Sequence, residues 1–535
     1  MEFFNSGLSK TSPGGSMNPE FPKTTFCKAL LATLMACASV GALAQQIEHD
    51  TDLFLHAFKQ NPARTMQVYV PKYDSNGNRL TPGQASRTQH ELTDLFLGIR
   101  NHQRANFCNE DGCLGDPGRS AIQGNDEASD LVDSPSSMIV KLETMEAFRS
   151  GAVDVAPWSS DYWPIRNGQI AVRYRDRSFP ANPGRFTWAQ AWAYFLANPF
   201  GSASAVDNLS PAEKYDLLVG DGNFTLTKNQ WSQGQWYQEQ HGNVESWMGL
   251  CHGWAAAAYL DARPTQAVQM TAVDGTKINF YPDDIKALSV LKWSNGSAVL
   301  NGVAANRFIG GRCNSKEPKI DEASGRIDDQ ECFDTNPGTF HLALVNQIGR
   351  NKRSMVMDAT FDYEVWNQPI KSYSYQFFNP KTKARASNFV DASVALNDPS
   401  FNDNFKDFRD NPAAKKVVGI IMEVEYVAET SPSLRETDSE ANDATTTARY
   451  MYDLELNAQG GIVGGEWYQN AHPDFLWNVA PGAFAFNQED RAVSSAVTPD
   501  EAPAADITRA ARSASRNGRP LKAVVDALLE QAQGE

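Results

Sequence analysis

The stretch from Asn243 to Tyr259, N-V-E-S-W-M-G-L-C-H-G-W-A-A-A-A-Y, constrains this chain more than any other. The alanines from Ala255 onward are the best helix formers available, and Gly249, just ahead of Cys251, suits a tight turn. Together they predict a helix that begins at or near Cys251. A thiol in that position meets unpaired backbone N–H groups and the positive end of the helix dipole, both of which favour the thiolate. A buried structural cysteine beneath an alanine-rich helix fits these residues equally well. The other cysteines separate the two readings.

Lys23 and Lys28 precede or flank an apolar run from Ala29 to Val40, and Ala42-Leu43-Ala44 has the small-x-small form of a secretory cleavage site. Residues 1–44 therefore read as a signal peptide, with 1–16 as an upstream extension before Met17. A lipid-attachment box ending at Cys37 ranks second, because the apolar run continues past it. Removing Cys27 and Cys37 leaves Cys108, Cys113, Cys251, Cys313 and Cys332, an odd number in an oxidising compartment. Pairing Cys108 with Cys113 and Cys313 with Cys332 closes two polar loops, the longer stabilised by about 3 kcal/mol. Cys251 is then left as a free thiol, for which nucleophilic catalysis is a ready explanation.

A formal charge of −16 argues against a nucleic-acid partner, which needs a basic face to displace counterions. Past the leader, no stretch is long and apolar enough to span a bilayer. Residues 45–205 read as a mainly helical cap or pro-domain, with helices expected at Thr51–Phe58, His90–His102 and Phe186–Leu196. Residues 206–487 read as a catalytic domain and 488–535 as an Ala, Pro and Ser-rich linker, to about Ser515, followed by a short amphipathic helix. Within the catalytic domain, strands are expected at Asn223–Thr227, Lys277–Tyr281, Val417–Val427 and Tyr450–Leu456, and a helix at Pro282–Lys292.

Two further segments, Thr339–Ile348 and Ser354–Phe361, read as strands joined by a polar turn. With the turn at Gly349-Arg350, His341 falls opposite Asp358 on one face of the hairpin. A cysteine on a helix, a histidine on a strand and an acid on the next strand form the nucleophile, base and orienter of papain-like acyl transfer. Cys251, His341 and Asp358 would take those roles. His252 is a poor rival base, because adjacent helical residues point about 100 degrees apart. The backbone N–H of Cys251 is the natural first oxyanion donor, with Asn243 or Trp247 as candidates for the second. Trp247, Trp254 and Trp366 are candidate apolar walls.

W-M-G-L-C-H-G-W at Trp247–Trp254, G-R-C-N at Gly311–Asn314, N-P-G-T-F-H-L at Asn336–Leu342 and Y-E-V-W-N-Q-P at Tyr363–Pro369 together resemble the elicitor-type transglutaminases first known from oomycete cell walls. Val365–Pro369 is the most specific of these matches. The resemblance spans about Gly222 to Trp477. It implies an α+β fold with a papain-like, transglutaminase-like core, and glutamine-to-amine acyl transfer that is often calcium-assisted. The partners implied are a protein or peptide glutamine donor and a primary-amine acceptor. Asp321–Asp329 has the flavour of a calcium loop, but its glycine and oxygen ligands fall out of place for an EF-hand. Two alternatives stay open: a papain-like cysteine peptidase or amidase sharing the same thioester, and an inactive surface or recognition protein that keeps the fold.

Overall fold

A computed structural model describes residues 48–68, 70–80, 108–109, 112–113, 126–176, 188–197, 206–245, 247–313, 318–329, 332, 335–360, 365–409 and 411–534. The leader and the expected helix at His90–His102 lie outside these residues. Residues up to Asp50 are a separate unit, helical over 48–50. From Thr51 onward the chain forms one compact unit.

The main helices are α1 (Trp188–Ala197), α2 (Pro211–Leu218), α3 (Thr225–His241), α4 (Cys251–Leu260), α5 (Pro282–Asn295), α6 (Pro337–Leu344), α7 (Ala505–Arg516) and α8 (Lys522–Gln531). The main strands are β1 (Asn306–Gly310), β2 (Val356–Asp358), β3 (Asn367–Phe378), β4 (Lys416–Ala428), β5 (Ala444–Leu456), β6 (Ile462–Trp467) and β7 (Phe475–Val479). One antiparallel sheet runs in the order β5-β4-β3-β2-β7-β1, and β6 also pairs with β5. Ser150–Ala152 joins it on β3 and Tyr73–Asp74 on β5. The region expected to be mainly helical thus also contributes strands to the sheet.

Strand alternation divides the core. On one face of the β1–β7–β2 segment, Phe308, Trp477 and Val356 pack with Ala255 and Ala256 of α4. On the other face, Ile309, Leu476 and Met357 pack with Phe340 and Leu344 of α6. A third, helical cluster joins α2, α3, α4, α5, α7 and α8 through Tyr215, Trp231, Trp254, Leu288, Ile507 and Leu528.

Several expectations change here. Thr339–Ile348 is not a strand: α6 covers Pro337–Leu344 and a π-helical turn follows over Val345–Arg350. Asn336 caps α6 by accepting from the Gly338 N–H at 2.8 Å, and Pro337 occupies the first turn, where its missing N–H costs nothing. Asn223–Thr227 likewise gives way to the start of α3. The Ala-rich text before Ser515 is helical from Ala505, and Ile507, Ala510 and Ala511 are buried in the helical cluster. The strands near Lys277, Val417 and Tyr450 and the helix from Pro282 stand close to their expected positions.

Helix α4 lies tightly against α5. A Cβ at Gly253 would overlap Ser294 Oγ and the Val290 carbonyl, so the two helices meet at a position only glycine permits. Beside this contact, buried Lys292 of α5 bridges Asp261, just past α4, at 2.8 Å and Asp526 of α8 at 3.0 Å. Gly253→Ala is expected to lower the unfolding free energy by about 1–3 kcal/mol through overpacking, as read by denaturant titration.

Candidate active site

Cys251 is the first residue of α4, as the alanine run requires. Helix α4 has no side-chain N-cap, and its first intrahelical bond runs from the Trp254 N–H to the Leu250 carbonyl at 2.9 Å. The N–H groups of Cys251, His252 and Gly253 therefore have no capping side chain among the described residues. The approach to the helix is fixed by the Leu250 N–H, which donates to the Tyr162 carbonyl at 2.6 Å. Gly249 is needed there for closeness: a Cβ would overlap the Tyr162 carbonyl.

The sulfur is buried and faces β3. Asn367 Nδ2 donates to Cys251 Sγ at 3.4 Å, and the thiol faces the Val365 carbonyl at 4.0 Å. Asn367 is itself held by Trp477, whose indole N–H donates to Asn367 Oδ1 at 2.7 Å. That second bond fixes which end of the amide meets the sulfur. Asp358 is the cross-strand partner of Asn367 in the β2–β3 register. Its Oδ1 accepts from the Trp366 N–H at 2.7 Å and the Thr360 hydroxyl at 2.8 Å, while the Ala359 N–H donates to the Trp366 carbonyl at 2.9 Å. Asp358 and its neighbour thereby clamp Trp366 from both sides and set the strand that passes the sulfur.

Electrostatics keep this thiol protonated. Burial, opposed by the Asn367 hydrogen bond and reinforced by the charges of Glu429 and Asp358, pushes the Cys251 pKa up to about 11. Glu429 accepts from Gln368 Nε2 at 2.7 Å, and burial raises its own carboxyl to about 8. Asp161, which accepts from the Trp163 N–H at 2.9 Å, is raised by burial to about 7.

His341 is not part of this group. It lies on α6, where its Nδ1 shares a hydrogen bond of 2.9 Å with the Tyr452 hydroxyl and its ring meets Tyr375 edge-on, with 4.8 Å between centroids. Tyr375 and Tyr452 belong to the cluster on the α6 face of the sheet, whereas Asp358 shares its face with Val356, toward α4. The expected pairing of His341 with Asp358 is therefore corrected, because it required a hairpin where the chain forms a helix. Burial lowers the His341 pKa to about 3. His252 is also buried, and its pKa is lowered to about 4.

Asn243 is exposed, without a hydrogen bond to the sulfur. The Trp247 indole N–H donates to Glu245 at 3.1 Å and that of Trp254 to the Trp158 carbonyl at 2.9 Å, so both serve local structure. Of the three candidate tryptophans, Trp366 directly precedes β3, and it packs edge-to-face on Tyr162 at 5.6 Å. Cys313 and Cys332 form a disulfide, and Cys251 is the free cysteine among the described residues. Cys108 and Cys113 are cross-strand partners in a two-residue ribbon whose side chains are not described, and their bridge remains a proposal. Around Asp321–Asp329, Asp321 closes a turn by accepting from the Ser324 N–H at 2.7 Å. Among the described residues no cluster of three or more His, Cys, Asp or Glu side chains is placed to hold a metal.

Sequence reasoning missed Asn367, Gln368, Glu429, Tyr162 and Asp161. The signal for the first two was present in V-W-N-Q-P, which carried a family likeness without being read as chemistry.

Asn367→Ala removes a donor that favours the thiolate, so the Cys251 pKa should rise further. Alkylation by iodoacetamide at pH 9 is expected to slow by about tenfold, the worth of one hydrogen bond to a charged group. His341→Gln, by contrast, is expected to lower the unfolding free energy by about 1–3 kcal/mol and leave the pH profile of that alkylation in place.

A family model described as "Transglutaminase elicitor" matches residues 134–485. Among solved structures, the crystal structure of the GP42 transglutaminase from Phytophthora sojae is similar at 19% identity and a TM-score of 0.47, covering 77% of this chain and 98% of that one. No curated protein matches. No helix among the described residues is long and apolar enough to cross a membrane.

Proposed function

Because the chain belongs to the transglutaminase elicitor family, we propose that it transfers glutamine acyl groups to primary amines through a thioester on Cys251. The observation that carries this reading is the free thiol at the uncapped N-terminus of α4, inside the segment that matches the family. The sulfur attacks the carboxamide carbon, the carbon–nitrogen bond breaks, and the thiol proton leaves with ammonia. An amine then attacks the thioester carbon, the carbon–sulfur bond breaks, and an amine proton returns to the sulfur.

In this scheme the first N–H groups of α4 receive the carbonyl oxygen as it gains charge. Asn367 holds the sulfur in line, with Trp477 fixing the amide. Asp358 is a positioning residue that acts through the Trp366 N–H. Burial of the thiol supports transfer over hydrolysis, since a sulfur with little contact with water leaves a bound amine the better competitor. Export after removal of residues 1–44 and assistance by calcium remain parts of the proposal, and a fall in transfer on EGTA addition would support the latter.

A second reading rests on a specific observation: the thiol is neutral and the His341 imidazole is bonded to Tyr452 instead. A surface or recognition protein that keeps the fold without turnover would look like this.

Incorporation of a labelled primary amine into a glutamine-bearing protein decides between the two. The expected result is incorporation by the wild type and its loss, by at least a hundredfold, in Cys251→Ala. Incorporation that persists in that variant would reject Cys251 as nucleophile. Ammonia release or peptide cleavage without incorporation would favour the amidase or peptidase, and no turnover of any kind the recognition protein.

A further inference from the structure

Residues 161–172, which run beside the entry to α4, are held in a shape their side chains resist. Trp163 has φ +49° and Gln169 φ +51°, left-handed backbone that strains any residue with a Cβ, and Gly168 between them has φ +89°. Trp163 and Gln169 are both fully buried. The Trp163 indole N–H and Gln169 Oε1 have no hydrogen-bond partner among the described residues, although Gln169 Nε2 donates to Gln233 at 2.7 Å. Strained backbone and unmatched buried polar groups persist only where the surroundings impose them, and they gather at places that move or react.

The entry to α4 is what imposes this shape. The Leu250 N–H donates to the Tyr162 carbonyl at 2.6 Å and the Ile165 N–H to the Met248 carbonyl at 2.7 Å, so the stretch is fastened to the residues just before Cys251. The Tyr162 ring carries the fastening across the site. It lies so close to Gly249 that a Cβ there would come within 2.6 Å of ring carbon Cδ2, and it meets Trp366 edge-on at 5.6 Å. Trp366 stands between Val365, whose carbonyl faces the sulfur, and Asn367, whose amide donates to it. One ring therefore bridges the two segments that hold Cys251 Sγ, one leading into the helix and one into the sheet. The stretch is anchored on either side: the Trp158 N–H donates to the Ala258 carbonyl of α4 at 3.2 Å, and Arg173 pairs with Glu213 of α2 at 2.7 Å.

We propose that residues 161–172 are a strap closed over Cys251, which lifts to admit the glutamine side chain, with the Tyr162 ring as its tip. Its bearing on turnover rests on the reading of Cys251 as acyl carrier. A carboxamide has to reach a sulfur that the fold buries, and the neighbours of that sulfur differ in how readily they move. Helix α4 is wedged on α5 at Gly253, and β3 is paired with strands on both sides. Lifting the strap breaks the backbone bonds to Met248 and Leu250. It also lets Trp163 and Gln169 leave left-handed φ and lets their unmatched polar atoms reach water, so strain held in the closed form offsets part of the cost of opening.

The test is the rate at which iodoacetamide alkylates Cys251 in the full chain, followed on the Cys251 peptide by mass spectrometry in conditions far from unfolding. A thiol that reacts only while the strap is open is alkylated in proportion to the open fraction. Tyr162→Ala, which removes the bridging ring, is expected to raise the rate by about tenfold, and Tyr162→Phe, which keeps the ring, to leave it near the wild-type value. Position 169 gives an independent reading, because Gln169→Gly and Gln169→Ala lose the same polar group and only glycine relieves the backbone. Gln169→Gly is expected to react about threefold more slowly than Gln169→Ala. If Tyr162→Ala fails to fold, the pair at position 169 decides alone. Equal rates for that pair would overturn the proposal, as would a Tyr162→Ala rate equal to the wild type's. A shifted unfolding midpoint with no change in rate would do so too, in favour of a structural role. The two readings fail separately. Faster alkylation of Tyr162→Ala where the wild type incorporates no amine would keep the strap and reject acyl transfer. Amine incorporation by the wild type, with alkylation indifferent to both positions, would do the reverse.

Discussion

The register of β2 against β3, which sets Asp358 opposite Asn367, is the constraint on which the rest of the site depends. It fixes both ends of the strand segment that passes the sulfur. From one end Asp358 holds the Trp366 N–H, and from the other the Trp477 indole of β7 donates to Asn367 Oδ1. A slip of one residue would send Asn367 to the α6 face and bring Gln368 or Trp366 to the thiol. Three strands and one helix are therefore read out at a single hydrogen bond to sulfur.

The thiol's surroundings follow from the same arrangement. Carboxyl groups and an amide surround Cys251, where an imidazole was expected, and burial outweighs the amide donor. The resting Cys251 side chain is thus the neutral thiol. Glu429 and Asp161, both raised by burial, add protonation sites in the neutral range close by. A site of this kind holds its reactivity in reserve, since the negative charge that a thiolate would bring is opposed by the neighbours it would join.

Much of this was legible in the sequence. The alanine run placed α4 and its cysteine, parity of the cysteines left that thiol free, and the strands expected at Val417–Val427 and Tyr450–Leu456 fall within β4 and β5. The failure at His341 has a physical cause. T-F-H-L-A-L-V-N-Q-I is apolar almost throughout, and an apolar run of that length cannot be assigned to helix or strand by periodicity. The deciding signal was just upstream: Asn336 and Pro337 are an N-cap and a first-turn proline, and they start a helix. Glu429 was out of reach for another reason. It follows β4, far along the chain from Gln368, and only the finished β3–β4 pairing brings the two together. The linker reading of the tail failed because alanine and serine suit a linker as well as a helix that packs closely on others.

That tail changes when the site comes into being. Helix α4 is wedged against α5 through Gly253, and α5 is in turn covered by α8, with Lys292 reaching Asp526 across the seam, while α7 packs on α3. Synthesis proceeds from the N-terminus, so Cys251 emerges long before the helices that complete the layer behind it. Until residues 522–531 have been made, the apolar back of α5 lacks its cover from α8. The order of the chain thus puts the last helix of the layer behind Cys251 at the far end of the polypeptide.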